Sequence, residues 1–433
     1  MAQIIPFRGY RYNPDLIGNV SDVVTPPYDR VYPDVQQACY QRSDHNIVRI
    51  IKGLPEASDS DANNVYTRAA HYLNAWIAKE ILIRDSEPAF YAYHQSYSFD
   101  GQTLTRKGVI ALGKLEPEKV HAHEKTLNGP KEDRLKLMQA TEANFGHIFM
   151  LYDDPARTTE TVLQTIVESE KPLIEAKDGD GNAHQVWKVT DPQAIATIQA
   201  ALSDKDLYIA DGHHRYETAV NFMNECEANT WQAAAAESFD VRMMTLFNVA
   251  EPGMSIRPIH RLVHGISGFS AQEFLASAAE HFNVEKQDSM AAMTEAVHFG
   301  REQHTIGCVA GDFMVTMTLK DTDIMNELIN EDRSADYKQL DVTILHAAIL
   351  DRLLGIDAQA LEEQRNVTYT VDASQGVEMV KTAKEQLFFY LNATSPEEVV
   401  RVADHNEKMP QKSTDFYPKL LTGLVLSTME IAK

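Results

Sequence analysis

The segment Asp211-Gly212-His213-His214-Arg215 carries the residues of this chain that are best suited to bind an anion. An apolar, strand-like run ends at Asp211, and a helix-compatible stretch begins within two or three residues. The first turn of a helix has unpaired N–H groups and a partial positive charge, which suit a phosphate. Gly212 has no Cβ, so a phosphate could approach the backbone closely. The pattern predicts a phosphate-binding turn where a strand meets a helix.

Three side chains of this turn add hydrogen-bond donors to the backbone. His213, His214 and Arg215 each carry N–H groups, and arginine binds phosphate through two parallel bonds. On this interpretation Asp211 and His214 take part in catalysis, while the other members hold phosphate. In the alternative, Asp211 only caps the helix and the histidines pack or face solvent.

A second cluster begins at His121-Ala122-His123-Glu124 and continues to Lys131 and Arg134. On an extended segment His121 and His123 point the same way and Glu124 points the opposite way. Lys131 and Arg134 are three residues apart and share one helix face. The cluster can supply Glu124 as a general base and two cations as phosphate ligands. The alternative is a solvated polar loop.

A third cluster, near the C-terminus, places Lys412, Ser413 and Thr414 between two prolines. The stretch is too irregular for a plain helix, so it is either a loop that returns to the active site or a surface turn that ends the domain. A smaller polar set, Arg8, Arg11 and Asp29, lies near the N-terminus.

Composition limits the classes of partner. The chain has 63 acidic and 40 basic residues, a formal net charge of −23, and such a field repels nucleic acids and anionic membranes. An anionic nucleotide can bind only where basic residues cluster locally. Three scattered cysteines and an N-terminus without a signal-peptide pattern favour a cytoplasmic location. The dinucleotide-binding, P-loop, serine-hydrolase and zincin motifs are absent.

The elements that must position these clusters alternate between helix and strand patterns. Two strands joined at Asp100-Gly101 form a predicted hairpin, followed by a helix over 131–141 and a strand over 147–152. A strand over 206–210 and a helix over 215–227 enclose the turn. From about residue 265 the units become shorter, which divides the chain into 1–264 and 265–433. The predicted class is α/β (mixed α+β).

Four strings in this sequence resemble a bacterial and archaeal family called domain of unknown function ten-fifteen. They are VTPPYD (24–29), HEKTLNGPKEDRL (123–135), IADGHHRYETA (209–219) and MPQKSTDFYPKLLTGLV (409–425). The DGHHR turn is also similar to the nucleotide-binding turn of the ParB/sulfiredoxin-like superfamily, and most of all to its free-serine kinases. That resemblance implies a ParB/sulfiredoxin-like nucleotide-binding core, with an additional α/β region towards the C-terminus.

The leading hypothesis is therefore phosphoryl transfer between ADP or ATP and a small hydroxylated metabolite such as free serine. Mg²⁺ is expected as well, because acidic surroundings and a nucleotide together favour it. Two other classes stay open. A metal-dependent hydrolase would use His121, His123, His213 and His214 as zinc ligands. A non-catalytic regulatory protein would bind nucleotide without turning it over.

Overall fold

The structure is a computed structural model that describes residues 3–122, 128–329 and 332–433. The described chain divides into two compact units. The first contains residues 3–122, 128–255 and 418–433, and the second contains residues 256–329 and 332–417. The predicted division at 264/265 lies close to residue 256, where the chain passes from the first unit to the second. The predicted C-terminal region also included residues 418–433, which are part of the first unit.

A nine-stranded mixed sheet forms the centre of the first unit. Its strands, in spatial order, are Val120–Ala122, Leu207–Asp211, Ile148–Tyr152, Val241–Asn248, Gln102–Lys114, Phe90–Phe99, Ala183–Val189 and Ile174–Lys177, with Ile4–Ile5 paired to Gln102–Lys114. The predicted hairpin is confirmed: Asp100 and Gly101 both have positive φ, 48° and 75°, as a tight turn between right-handed twisted strands requires.

Helices cover this sheet through apolar side chains. The helices of the first unit are Pro33–Arg42, Val48–Ile51, Val65–Ala78, Asn128–Thr141, Thr158–Ser169, Pro192–Leu202 and His213–Ala228. Leu163, Ile198 and Phe222, one from each of three of these helices, belong to one core cluster with the strand residues Ile148, Met150 and Leu246. Burial of that apolar surface fixes the helices against the sheet.

Short strand pairs complete the first unit. Tyr10–Tyr12 pairs with Leu82–Arg84, Ala143–Asn144 with Ser427–Thr428, and Gln232–Ala233 with Ile431–Ala432. The last two pairs join the C-terminal segment to strands that lie far away in sequence, which explains why no local pattern assigned residues 418–433 to this unit.

The second unit contains a six-stranded antiparallel sheet. The strands are, in spatial order, Phe282–Lys286, Phe313–Leu319, Thr305–Ala310, Leu387–Tyr390, His260–Val263 and Val367–Thr370. Its helices are Ala271–Ala278, Met290–Phe299, Ile324–Leu328, Ala335–Lys338, Asp341–Ile344, Ala358–Glu362, Ala373–Lys381 and Pro396–Asp404, with a π-helical stretch at Leu345–Asp351. Strand Ser255–Arg257 lies where the chain enters the second unit, and strand Asp415–Tyr417 lies where the chain leaves it. Helices and sheets in both units confirm the mixed α/β class.

None of the helices within the described ranges combines the length and the apolar character needed to cross a membrane. The three cysteines, Cys39, Cys226 and Cys308, are buried and free.

Candidate functional site

The predicted strand-to-helix turn is present. Strand Leu207–Asp211 ends one residue beyond the predicted strand 206–210, and Gly212 occupies the N-cap position with φ +99°. Helix His213–Ala228 follows at once and starts two residues before the predicted helix 215–227. Gly212 has no side chain with which to cap the helix. Asp211 precedes the N-cap position, and its carboxylate bonds to other side chains. The helix therefore starts at a glycine that tolerates the left-handed conformation.

The space beside Gly212 is occupied by an arginine. A Cβ added at Gly212 would lie 3.0 Å from Nη2 and 3.1 Å from Nε of Arg215. The missing side chain thus gives room to the guanidinium of the same turn. An approach to the backbone from that direction is closed, so a phosphate would have to reach the first turn from another side.

Asp211 joins two cations. One carboxylate oxygen accepts a bond from Nη2 of Arg215 at 2.6 Å, and the other accepts one from Nζ of Lys419 at 3.1 Å. Burial alone would raise the pKa of Asp211, but Lys419 and Arg215 hold it well below its ordinary value. Asp211 is therefore a permanent anion and a poor proton acceptor.

Arg215 is buried and also donates through Nη1 to the backbone oxygen of His147. His147 is itself fixed, since its Nδ1 lies 2.7 Å from Oγ1 of Thr245 on the adjacent strand. The guanidinium is therefore held in one orientation by a carboxylate and a carbonyl. It stands at the wall of a cavity and contributes positive charge there.

The two histidines of the turn differ in exposure. His213 is buried, whereas His214 is half-buried. Burial lowers the pKa of His214, while the carboxylates of Glu217 and Asp29 act in the opposite direction. His214 is consequently neutral at pH 7 and can accept a proton. Asp29 belongs to the N-terminal motif VTPPYD, whose Tyr28 lines the same cavity as Arg215.

Helix Asn128–Thr141 brings Lys131, from the second cluster, close to the turn. It runs beside His213–Ala228 in the same direction, linked by Lys131 Nζ to Glu217 Oε2 at 3.1 Å and by Gln139 to Glu225. One helical turn separates Lys131 from the next basic residue, Arg134. The structure thus brings Lys131 and the turn 211–215 together.

Arg134 is fixed by three kinds of contact. Its guanidinium lies 4.3 Å from the centre of the Tyr28 ring, bonds the carboxylate of Asp133 and donates to the backbone oxygen of Ile51 at 2.8 Å. Lys131 and Arg134 were predicted to share one helix face. In the structure Arg134 contacts the N-terminal segment, through the ring of Tyr28.

The predicted base, Glu124, and His123 lie outside the described residues. The strand immediately before them, Val120–Ala122, runs parallel to Leu207–Asp211, with Ala122 opposite Ile209. His121 stacks on Tyr208 at 5.1 Å. The second cluster and the DGHHR turn therefore each follow a strand, and these two strands are neighbours in the sheet with the same direction.

A small cavity lies among these elements, with a volume of about 40 Å³. Its polar lining residues are Tyr28, Arg134, Arg215, Thr218, Arg242 and Thr422, and the others are Ile51, Leu137, Met138, Ala143, Phe145 and Gly146. Three arginines thus surround one cavity in a chain of net charge −23.

Lys412, Ser413 and Thr414 lie in the second unit. The backbone oxygen of Lys412 accepts a bond from the buried Arg261, and Ser413 bonds the backbone oxygen of Pro410. Their role in phosphate binding stays a prediction. Nowhere in the described chain do three His, Cys, Asp or Glu side chains group as a metal site.

Three residues that sequence reasoning did not place in the site are prominent in it. Lys419 is the last basic residue of the C-terminal motif, and Tyr28 belongs to the motif VTPPYD. Neither motif indicated that these two residues would lie at the turn 211–215. Arg242 had a local signal, because it interrupts the otherwise apolar strand Val241–Asn248. An arginine inside such a run must either pair or serve a ligand.

Residues 4–343 match the family described as "Protein of unknown function (DUF1015)". No curated protein matches the chain. A free serine kinase in complex with AMP superposes with a TM-score of 0.37 at 11% identity, over 74% of this chain and 91% of that one. A conserved hypothetical protein from Pyrococcus furiosus gives 0.34 at 12% identity, over 74% and 95%. SbnI from Staphylococcus aureus, truncated at its C-terminus, gives 0.35 at 11%, over 72% and 85%. Scores this low transfer neither a fold nor an activity.

Proposed function

The chain belongs to the DUF1015 family, whose function is unknown, and we propose that it is a nucleotide-dependent phosphotransferase that acts on a small hydroxylated metabolite such as free serine. One observation carries the proposal: cations from separate segments gather at a helix N-terminus in a strongly acidic protein. Arg215 and Lys419 flank Asp211, and Lys131 reaches the same helix. Phosphoryl transfer asks a protein mainly for such positioning and charge stabilisation.

The nucleotide phosphates would bind at the first turn of helix His213–Ala228. The partial positive charge of that turn attracts anions, and Gly212 brings no side chain of its own to its start. His214, which is half-buried, and Lys131 would be the side chains that meet a phosphate there. Arg215, whose donors already bond Asp211 and His147, would act chiefly through its charge.

Asp211 would position these groups and would not serve as the base. Its depressed pKa makes it a weak proton acceptor, and each of its two oxygens already bonds a cation. For the same reason it is a poor ligand for Mg²⁺. We therefore expect Mg²⁺ to arrive on the nucleotide phosphates, which commonly supply most of its non-water ligands.

The proton of the substrate hydroxyl needs an acceptor. Glu124 is the first choice on chemical grounds, because a carboxylate can accept a proton from a hydroxyl as phosphoryl transfer proceeds. His214 is the second choice, since it is neutral at pH 7. A variant of each separates the two roles.

The direct test mixes the protein with ADP or ATP, Mg²⁺ and serine, and measures phosphoserine. Lys131→Met should lower kcat/KM, while Lys136→Met on the same helix should not, because Lys136 is half-exposed and, among the described residues, bonds only the exposed Glu132. Arg215→Ala should abolish turnover.

Two results contradict the proposal. Nucleotide binding without transfer to any of a panel of small alcohols would identify a regulatory protein. A stoichiometric transition metal in the purified protein, with hydrolytic activity that a chelator removes, would identify a metal-dependent hydrolase.

A further inference from the structure

Arg242 is a buried charge without an acidic partner among the described residues. It is 5% exposed, and its Nη1 donates to the side-chain oxygen of Asn144, a neutral group. Its Nε has no hydrogen-bond partner in the described chain. Asn144 in turn donates to Oγ of Ser427 at 3.2 Å. Because buried charges in proteins are normally paired, an anion bound next to this guanidinium would stabilise it.

The cavity wall beside Arg242 has an excess of positive charge. Arg215 is balanced by Asp211, and Arg134 by Asp133, but neither acid lines the cavity, and no other described carboxylate does. Burial and then the charges of Arg215 and Arg134 lower the pKa of Arg242 to about 9. An anion within the cavity would relieve both effects.

The cavity favours a small anion. Its volume of about 40 Å³ is roughly three times the minimum for one water molecule, which is room for a compact anionic group. A carboxylate is compact and planar, and it can pair with a guanidinium through two parallel hydrogen bonds. Leu137, Met138 and Phe145 supply apolar wall for the carbon that carries the carboxylate.

We propose that the acceptor substrate is a carboxylate-bearing compound and that its carboxylate binds in this cavity, against Arg242, with Arg134 and Arg215 adding positive charge. This inference rests on the proposed function, because it names the chemical class of the acceptor. It also assigns a specificity role to Arg242, which no motif contains.

Calorimetric titration tests the inference without any turnover. The probes are L-serine and glycerate, which carry a carboxylate, ethanolamine, which has the hydroxyl and amine but no carboxylate, and inorganic phosphate. Serine and glycerate should bind and ethanolamine should bind at least about tenfold more weakly, since a charge-assisted hydrogen bond is lost. Phosphate binding that is competitive with serine and tighter than it would overturn the choice of carboxylate.

Two variants locate the site. Arg242→Met should weaken serine binding by about 10- to 100-fold, whereas Arg42→Met, an exposed arginine that donates to the backbone oxygen of Ser21, should not. Gly146→Ala keeps every charge: its Cβ would sit 3.4 Å from Arg215 Nη1 and 3.5 Å from Thr422 Oγ1, without a clash, and would fill part of the cavity. It should fold normally and also lose serine binding, so it decides the question if Arg242→Met fails to fold.

The outcomes separate the two proposals. Phosphoserine formation by Gly146→Ala with unchanged serine affinity would overturn the carboxylate site and leave the phosphotransferase proposal standing. Serine binding that both variants lose, in a protein that transfers no phosphate, would support the site and contradict the proposed function. Loss of ADP affinity in place of serine affinity would overturn the assignment of the cavity to the acceptor.

Discussion

Asp211→Asn removes a negative charge that Arg215 and Lys419 share. The three side chains are only 8%, 19% and 16% exposed for Arg215, Asp211 and Lys419, so solvent screens the pair little. Breaking a buried ion pair by removing one partner costs about 3–5 kcal/mol, because it leaves uncompensated charge. Asparagine keeps the shape and can still accept one bond, so we expect a loss near the lower limit, about 3 kcal/mol, or a fall of roughly 6 °C in Tm.

Tryptophan fluorescence measures this loss in the correct unit. All three tryptophans, Trp76, Trp187 and Trp231, lie in the first unit, so thermal unfolding followed at their emission reports that unit alone. Glu132→Gln is the matched control, because it makes the same change in an exposed pair with Lys136 and should leave the midpoint nearly unchanged. A shift for Asp211→Asn no larger than that of the control would refute the reasoning.

The stabilisation that Asp211 provides should also depend on pH, in a direction that can be predicted. The folded-state pKa of Asp211 is lowered, so its contribution to stability is complete above the pKa of an unfolded aspartate, about 3.9, and is lost as the pH falls towards the lower folded value. The difference in Tm between wild type and Asp211→Asn should therefore be full at pH 7 and should narrow below about pH 4. A difference that grows on acidification would contradict the assignment.

Three further predictions concern the turn and the base. Glu124→Gln should lower kcat, measured by phosphoserine formation, about 10²- to 10⁴-fold. The nucleotide affinity, measured by titration, should change little. An unchanged kcat would show that another residue is the base. Burial lowers the pKa of His214, so if this residue is the base, activity should fall only at a pH below about 6.5, and His214→Asn should remove that acid limb from the pH profile of kcat/KM. Gly212→Ala should destabilise the first unit by about 1–3 kcal/mol, because φ is +99° and the new Cβ would contact Arg215. Gly179→Ala is the control, because a Cβ there contacts nothing within 4 Å. Its thermal transition, followed by tryptophan emission, should match that of the wild type.

Several parts of the structure were predictable because their signals are local. The hairpin at Asp100-Gly101 and the start of a helix after Gly212 depend on backbone preferences of neighbouring residues, and the structure has both. The helix predicted over 131–141 is present as Asn128–Thr141. Helices Pro33–Arg42 and Val48–Ile51, in contrast, are short and carry weak periodicity, so the sequence pattern did not predict them.

The interpretation of Gly212 shows where local reasoning was incomplete. Glycine was correctly required at the turn, but the reason assigned to it was access for a phosphate. In the structure the same absence of a side chain accommodates the Arg215 guanidinium. Sequence alone could not choose between a ligand and a neighbouring side chain, because both fill the same space.

By itself the sequence determined the chemistry available: an acidic α/β chain with a cationic turn between strand and helix, whose strings place it in a family. Only the tertiary structure decided which charges meet. Lys419 reaches Asp211 across 208 positions, and Arg242 faces Arg134 and Arg215 around one cavity. Such long-range pairs are set by how strands order within the sheet and how helices pack on it, and periodicity over a dozen residues carries no information about that order.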